Sequence, residues 1–590
     1  MTFLRELLAV ILGVFIAGGI MFLVFMAFIS ASSSAFSEDA KVSVKSNSVL
    51  ELNFENAITD DYNVTDPFAD IFGAGENDLL EMHEIISAIE NAKTDANIKG
   101  ISIHSLDVNG GIAQMQTIRD KLVDFKESGK FIVAFADYYT QKNYYMSSVA
   151  DSIYINPVGE VDFKGLASEI LYYKDFQDKY GVKMEVIRHG KYKSAVEPFL
   201  ANKMSAANRE QMTSFLNSIW SELIADIAES RNKTVDEINT IADNLAARNP
   251  KLAIQSNMID GELYADEYEE KLKELTNTDT ASKLNKVSLH DYINSGKGRI
   301  RSSATNKIAV IYAQGEIRYG TGDESYIGQE KIIEALKKVR QDNSVKAIVL
   351  RVNSPGGSAL ASDLIWRELE LTKKEKPLVV SMGNLAASGG YYIACNADRI
   401  IAEPTTITGS IGVFGMIPNI NKLAENMGIN AEQVGTNRQS LGYSAFEPMT
   451  DAFHDNVKES IVDVYNTFID RVAKGRNMTT AQVDSIGQGR VWTGSEALQI
   501  GLVDQLGNLN DAIAVAAEMA DIESYRTTNY PRYKNEFEDI FKPFSFSMKA
   551  KENMLKEELG MENYTIYKSF KQFAELKGIQ ARMPFVIEIK

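Results

Sequence analysis

The sequence predicts an α/β fold made of two related domains in tandem, behind a single apolar amino-terminal helix. Three observations predict it. Short apolar, β-rich runs alternate with stretches of helical period, the pattern of βαβ crossovers and a largely parallel sheet. Most of the 590-residue chain repeats itself once. A charge-free run, Leu7–Ile29, precedes both copies.

That run comes first. As a helix it would span roughly 34 Å, enough for a bilayer core of about 30 Å and longer than the ~7–15-residue core of a signal peptide. Residues 1–35 are therefore expected to be an uncleaved membrane anchor, with Ala31-Ser-Ser-Ser-Ala35 as the alternative cleavage site. Arg5 and the amino terminus lie before the span, and Glu38 and Asp39 after it, so the short end should stay in the cytoplasm and the bulk be exported.

The repeats follow, at 45–295 and 305–523. Ala92-Lys-Thr-Asp-Ala-Asn-Ile-Lys-Gly-Ile-Ser-Ile-His104 is echoed by Val339-Arg-Gln-Asp-Asn-Ser-Val-Lys-Ala-Ile-Val-Leu-Arg351. Gly110-Gly111 matches Gly356-Gly357 with a one-residue slip. Tyr144-Tyr145, Ala150-Asp151, Pro157 and Gly165 match Tyr391-Tyr392, Ala397-Asp398, Pro404 and Gly412 at a constant offset of 247. Ser194-Ala-Val-Glu-Pro198 matches Ser444-Ala-Phe-Glu-Pro448. This is a duplicated domain rather than a solenoid of short repeats. A Ser/Gly/Lys/Arg-rich linker is expected at Asn294–Asn306.

In the second copy, strands are expected at Lys307–Ala313, Ala347–Val352, Leu378–Ser381 and Arg399–Ala402. Ile332, Ile333, Leu336 and Val339 carry helical spacing between the first two. Ala207–Arg231 and Asp451–Arg476 read as long helices with solvated charged faces. Residues 524–590 form a carboxy-terminal extension with no assigned role.

Net charge is -18, which argues against nucleic acid as a partner. Cys395 is the only cysteine, so an intrachain disulfide is excluded and it reads as a small buried residue.

The chemistry centres on Gly383-Asn-Leu-Ala-Ala-Ser-Gly-Gly390, read as a glycine-rich turn between a strand and a helix starting near Tyr391. A serine flanked by small residues at such a turn presents an uncovered nucleophile, here Ser388. Such a nucleophile needs a base and an oxyanion hole. The five histidines are His83, His104, His189, His290 and His454, and none lies in the second copy's glycine-rich segments. His189 is the histidine to weigh. A lysine serves equally if burial keeps it neutral. Gly190-Lys-Tyr-Lys-Ser-Ala-Val-Glu-Pro198 offers Lys191 and Lys193, which face the same side of an extended segment, so spacing does not choose between them. Pro355-Gly356-Gly357, a turn after a strand, can aim a free backbone N–H at a substrate carbonyl.

Four stretches carry a resemblance: Arg351-Val-Asn-Ser-Pro-Gly-Gly357, Ser381-Met-Gly-Asn-Leu-Ala-Ala-Ser-Gly-Gly-Tyr-Tyr392, Thr408-Gly-Ser-Ile-Gly412 and Tyr192-Lys-Ser-Ala-Val-Glu-Pro-Phe199. With them, residues 45–520 and the anchor resemble the long-form signal peptide peptidase A family, also called protease IV. The resemblance implies tandem domains of the Clp protease/crotonase-like fold. It implies Ser388 as nucleophile, Lys193 as general base and Ser410 as the lysine's hydrogen-bond partner. Gly357 and the Ser388 N–H would form the oxyanion hole, with Gly356 shaping the turn. The register of Lys-Ser-Ala-Val-Glu-Pro selects Lys193 over Lys191. It further implies cleaved signal peptides as apolar substrates, no metal or cofactor, and a homotetramer. The implied location is the bacterial inner membrane, with the catalytic domains on the periplasmic side.

The duplication points the same way. Ser388 aligns with Gln141 in the first copy, and Lys193 with Tyr443 in the second. Each copy lacks what the other has, so one site should lie between them. The competing readings are a crotonase-fold enzyme acting on an acyl thioester, and a membrane-anchored scaffold with idle residues.

Overall fold

Each repeat is built on strands that are near-continuous apolar runs, as expected where helices cover both faces of a parallel sheet. The computed structural model describes residues 43–60, 64–65, 79–297, 302–437, 439–534 and 580–583, together with 13 and 17–21 of the amino-terminal run. The expected anchor, 1–35, lies almost wholly outside the described residues. Among those described, no helix is long and apolar enough to cross a membrane.

The first repeat's sheet runs in the order Lys286–Ser288, Ser48–Leu52, Ile98–Ile103, Phe131–Ala136, Ser152–Ile155, Gly261–Glu262, with every pair parallel. The second repeat's sheet runs Val491–Thr493, Ile407–Gly409, Leu378–Ala387, Val345–Ser354, Lys307–Gln314, Arg526–Tyr530, with Arg399–Ala402 also on Leu378–Ala387. Only the Val491–Thr493 pairing in that series is antiparallel.

The expected strands of the second copy are present, and three of the four are longer than expected. Leu378–Ala387 continues past Ser381 because it changes partner: Val379–Met382 pair with Arg399–Ala402, and Leu385–Ala387 with Ile407–Gly409. Gly383–Ala387, expected in a turn, are therefore strand. The long helices fall at Ala206–Ser230 and Asp451–Arg476, close to expectation. Arg526–Tyr530, expected in the extension, is the edge strand beside Lys307–Gln314.

The duplication is visible bond by bond. Lys130 Nζ donates to the Ala92 and Asp95 carbonyls, both at 2.7 Å, and Lys376 Nζ to the Val339 and Asp342 carbonyls, both at 2.6 Å. Tyr144 donates to Met258 O as Tyr391 does to Leu502 O. Arg231 forks Asp260 as Arg476 forks Asp504.

A third sheet joins the halves, in the order Tyr326–Gly328, Glu316–Arg318, Gly356–Ser358, Gln580–Arg582, Val413–Asn419, Lys183–His189. Its last strand belongs to the first repeat. It pairs antiparallel with Val413–Asn419 along its whole length, His189 opposite Val413 and Lys183 opposite Asn419. Helix Ala206–Ser230 reinforces the junction: Gln211 Oε1 accepts from Val491 N, and Ser218 lies 2.7 Å from Thr493. Ala387, Ile407 and Val491 of the second repeat share a hydrophobic core with the first.

Candidate active site

Ser388 sits between strand Leu378–Ala387 and the short helix Gly389–Ala394, at φ 56° and ψ -114°. A non-glycine residue with positive φ costs about 1–3 kcal/mol and persists only where its surroundings enforce it. Here its N–H donates to Gly409 O and its carbonyl accepts from Tyr392 N, both at 2.8 Å. The glycines beside it answer to packing. A Cβ on Gly389 would lie 2.7 Å from Ser362 Oγ, and one on Gly390 2.7 Å from Ser354 O. The hydroxyl is not left uncovered, as small neighbours suggested. Ser388 is 0% exposed.

Lys193 comes from the first repeat, in the turn after strand Lys183–His189. At φ -74° and ψ 73° the chain is leaving extended geometry for the 3-10 turn Ser194–Val196. Lys191 and Lys193 therefore part company: Lys191 is exposed, Lys193 buried. The turn is pinned by Tyr192 N donating to Gln488 O at 2.9 Å and by Arg188 donating to Lys193 O at 3.2 Å. Buried Glu197 accepts from Ser205 N and Asn208 Nδ2 just beyond it. Gly489 lies against the lysine so closely that a Cβ there would be 2.7 Å from its N and Cβ.

Lys193 Nζ is 2.9 Å from Ser388 Oγ, 3.0 Å from Ser410 Oγ and 3.1 Å from Ser410 O. Burial holds its pKa well below the ordinary lysine value. A neutral amine has two N–H groups and one lone pair. The Ser410 carbonyl can only accept, so it takes one N–H, and Ser410 Oγ takes the other. The lone pair remains for the Ser388 hydroxyl. Ser410 is itself held at φ 51°, its N–H donating to Arg490 O at 2.6 Å.

Gly356, at φ 95°, donates its N–H to Ser354 Oγ and shapes the turn. Gly357 lies in the short strand Gly356–Ser358, where a Cβ would meet Ile317 O at 2.0 Å. The Ser388 N–H, expected as the second oxyanion donor, is committed to Gly409 O. The next amide is the candidate in its place. Gly389 N opens a helix, where first-turn N–H groups lack intrahelical acceptors, and a Cβ on Gly356 would be 2.6 Å from it.

The histidines lie elsewhere. His189 packs on Tyr465, ring centroids 4.3 Å apart, and His104 edge-on to Phe135. His83, His290 and His454 pair with Glu81, Asn294 and Asp455. In the first repeat, Gln141 closes the corresponding turn: its Oε1 accepts from Gly165 N and Lys164 N, and its Nε2 donates to Gly165 O. Tyr443 is tied to Pro418 O at 2.6 Å. Burial pushes the Cys395 thiol up to about 12, in keeping with a packing role.

Polar contacts lock the repeats around the site. Arg351 donates to Asp60 Oδ1 at 3.0 Å, to Ser381 and to Met382 O. Glu403 accepts from Thr117 across the boundary. Burial pushes Glu403 up to about 7, with Asp120 and Asp511 adding to the rise and Thr117 and Arg351 opposing it. Sequence reasoning missed Gly489, the Gly389 amide and the Arg351–Asp60 pair. Gly487-Gln-Gly-Arg490 is a glycine-rich turn that could have drawn attention to the first.

The model for peptidase family S49 matches residues 124–279 and 370–523, and a Clp protease model matches 298–408. Protease 4 of Haemophilus influenzae is 37% identical over 538 residues, covering 88% of this chain and 86% of its own. Protease 4 of Salmonella typhi is 36% identical, covering 78% and 76%. Serine protease SPPA, chloroplastic, of Arabidopsis thaliana is 31% identical, covering 81% and 70%.

Proposed function

Because the chain belongs to peptidase family S49 and is a serine protease, we propose that it is a membrane-anchored endopeptidase working through a Ser388/Lys193 dyad. The observation that carries this is the 2.9 Å approach of a buried lysine amine to Ser388 Oγ.

Ser388 Oγ attacks the scissile carbonyl as Lys193 takes its proton. The tetrahedral oxyanion accepts hydrogen bonds from the N–H groups of Gly357 and Gly389. The Lys193 ammonium then protonates the leaving amine, and the acyl group stays on Ser388. Lys193, neutral again, draws a proton from water. The water attacks the ester, and the proton returns to Ser388 as the acid departs. Ser410 keeps the amine's lone pair aimed at the serine.

The substrates are extended apolar peptides at a membrane surface, namely signal peptides left after cleavage, in the bacterial inner membrane with the catalytic domains outside the cytoplasm. The charge-free run Leu7–Ile29 and the family resemblance carried by the four motifs support this, and the resemblance alone supports a homotetramer. Alkaline carbonate extraction should leave the full-length chain in the membrane pellet. Release of a chain starting near Phe36 would mean a cleaved signal instead. The mechanism is tested by fluorophosphonate labelling of the full-length chain in detergent. Label should map to Ser388 and vanish in Ser388→Ala, and signal-peptide turnover should vanish in Ser388→Ala and Lys193→Ala. Turnover surviving Ser388→Ala would sink the reading.

A further inference from the structure

The turn Gly487-Gln-Gly-Arg490 bonds to the chain beside both Lys193 and Ser410. Gln488 O accepts from Tyr192 N at 2.9 Å, Gly489 N donates to Ile411 O at 2.7 Å, and Arg490 O accepts from Ser410 N at 2.6 Å. Tyr192 precedes Lys193 and Ile411 follows Ser410, so one turn fixes the base and its hydrogen-bond partner together. The turn carries strain of its own. Gln488 is held at φ 52°, a left-handed conformation that a residue with a side chain rarely adopts. Such a residue persists only where its surroundings enforce it.

Tyr465 supplies that contact from helix Asp451–Arg476, where it is buried. Its hydroxyl donates to Asp484 Oδ1 at 2.6 Å and accepts from Gln488 N at 3.2 Å. Asp484 Oδ2 accepts in turn from Gln488 Nε2 at 3.4 Å. The ring of Tyr465 packs on His189, the last residue of the strand that leads to Lys193, with centroids 4.3 Å apart. One side chain thus bears on the lysine from two directions: through the strand end before it and through the turn packed against it.

The first repeat separates this role from packing. Thr234 and Thr479 cap equivalent helices, with capping boxes closed by Glu237 and Gln482. In that register Tyr465 and Asp484 correspond to Trp220 and Asn239, and Trp220 Nε1 donates to Asn239 Oδ1 at 2.8 Å. The bond between the two helices is therefore kept in both repeats. An indole N–H only donates, whereas a phenol both donates and accepts. The repeat whose turn lies against the base is the one that carries a group able to accept from that turn.

We infer that Tyr465, oriented by Asp484, is a positioning residue for the general base: it holds Gln488 and His189, and through them the turn that sets Lys193 against Ser388. The inference rests on the dyad reading above. The titratable and charged groups along this path are His189 and Asp484 against Tyr465, Arg188 on Lys193 O, Glu197 held by Asn208, and Arg490 paired with Glu210. Burial is what lowers the Lys193 pKa. Loosening the turn admits water to the amine, which favours its charged form and raises that pKa.

The test uses full-length protein in detergent, with peptide turnover expressed per active site from fluorophosphonate labelling taken to completion. Tyr465→Phe keeps the ring on His189 and removes the hydroxyl. It should lower kcat per labelled site about tenfold, leave KM within about twofold, and move the acid limb of kcat/KM to higher pH by about half a unit or more. Asp484→Ala should do the same. Asp484→Asn still offers the phenol an oxygen, so it should stay within about threefold of wild type. A role in stability alone would lower the melting temperature and the number of labelled sites, and leave kcat per site and the acid limb in place. That result in Tyr465→Phe, or in Asp484→Ala should the first variant not fold, would overturn the inference and leave the dyad intact. Full turnover in Lys193→Ala would remove the dyad reading and the inference with it.

Discussion

In the proposed dyad Lys193 acts only as a free amine, the form that its burial favours. Below its lowered pKa it is protonated and cannot accept the serine proton, so kcat/KM should fall as pH drops through that value and level off above it. Arginine keeps the charge and cannot give up its proton. Lys193→Arg should therefore match Lys193→Ala, each losing roughly 10³-fold or more in kcat; substantial activity in the arginine variant would exclude Lys193 as the base. Ser388, Lys193 and Ser410 were legible in the sequence because each sits in a distinctive short motif. Spacing alone could not separate Lys191 from Lys193, since it presumed an extended backbone and the chain turns at Lys193. The Ser388 amide was misassigned for a related reason. The strand before it pairs onward with Ile407–Gly409, and that pairing consumes the N–H.

At the scale of elements, the site depends on a turn far along the chain from the lysine. Gly489 has φ 85°, and a Cβ there would press on the Lys193 backbone. Gly489→Ala should lower kcat about 100-fold by shifting the amine from Ser388. The strained φ should cost about 1 kcal/mol, a melting-temperature drop of a few degrees. An unchanged kcat would mean that the turn does not position the lysine. Buried strands and long helices were readable because each carries a long apolar run or a sustained 3.6-residue period. Gly356–Ser358 and Gln580–Arg582 were not, because three residues cannot display a period. Arg526–Tyr530 was missed because the internal repeat, the guide to that region, had already ended.

For the whole molecule, the proposed mechanism predicts one site from the duplication and not two. Gln141 offers no nucleophile, and Tyr443 is held as a donor to Pro418 O. Residues 45–295 and 305–590 expressed separately should each be inactive, and fluorophosphonate titration of the full chain should saturate at about one label, on Ser388. A labelled serine in the first repeat would show the duplication misread. The junction should also respond to pH. Glu403 has its pKa raised to about 7 on folding, so the folded state holds its proton where the unfolded chain has lost it. Its stabilising contribution is complete below the ordinary pKa of 4.5 and is lost as pH rises through about 7. That is worth roughly 3 kcal/mol in all. Thermal melts from pH 5 to 8 should show stability falling, and Glu403→Gln should flatten the fall; an equally steep fall in the variant would remove Glu403 as its source.

Strand Lys183–His189 pairs with Val413–Asn419, and Lys193 and Ser388 stand 195 positions apart. A ribosome adding about 5–20 residues per second delivers the base some 10–40 s before the nucleophile. On the proposed mechanism, the nascent chain therefore carries its base for that interval with no nucleophile to activate. Translation-arrested chains ending before Gly489 contain both residues of the dyad. They should take up no fluorophosphonate, and labelling should begin only when the second repeat has closed on the first. Labelled shorter chains would show that the delay does not exist.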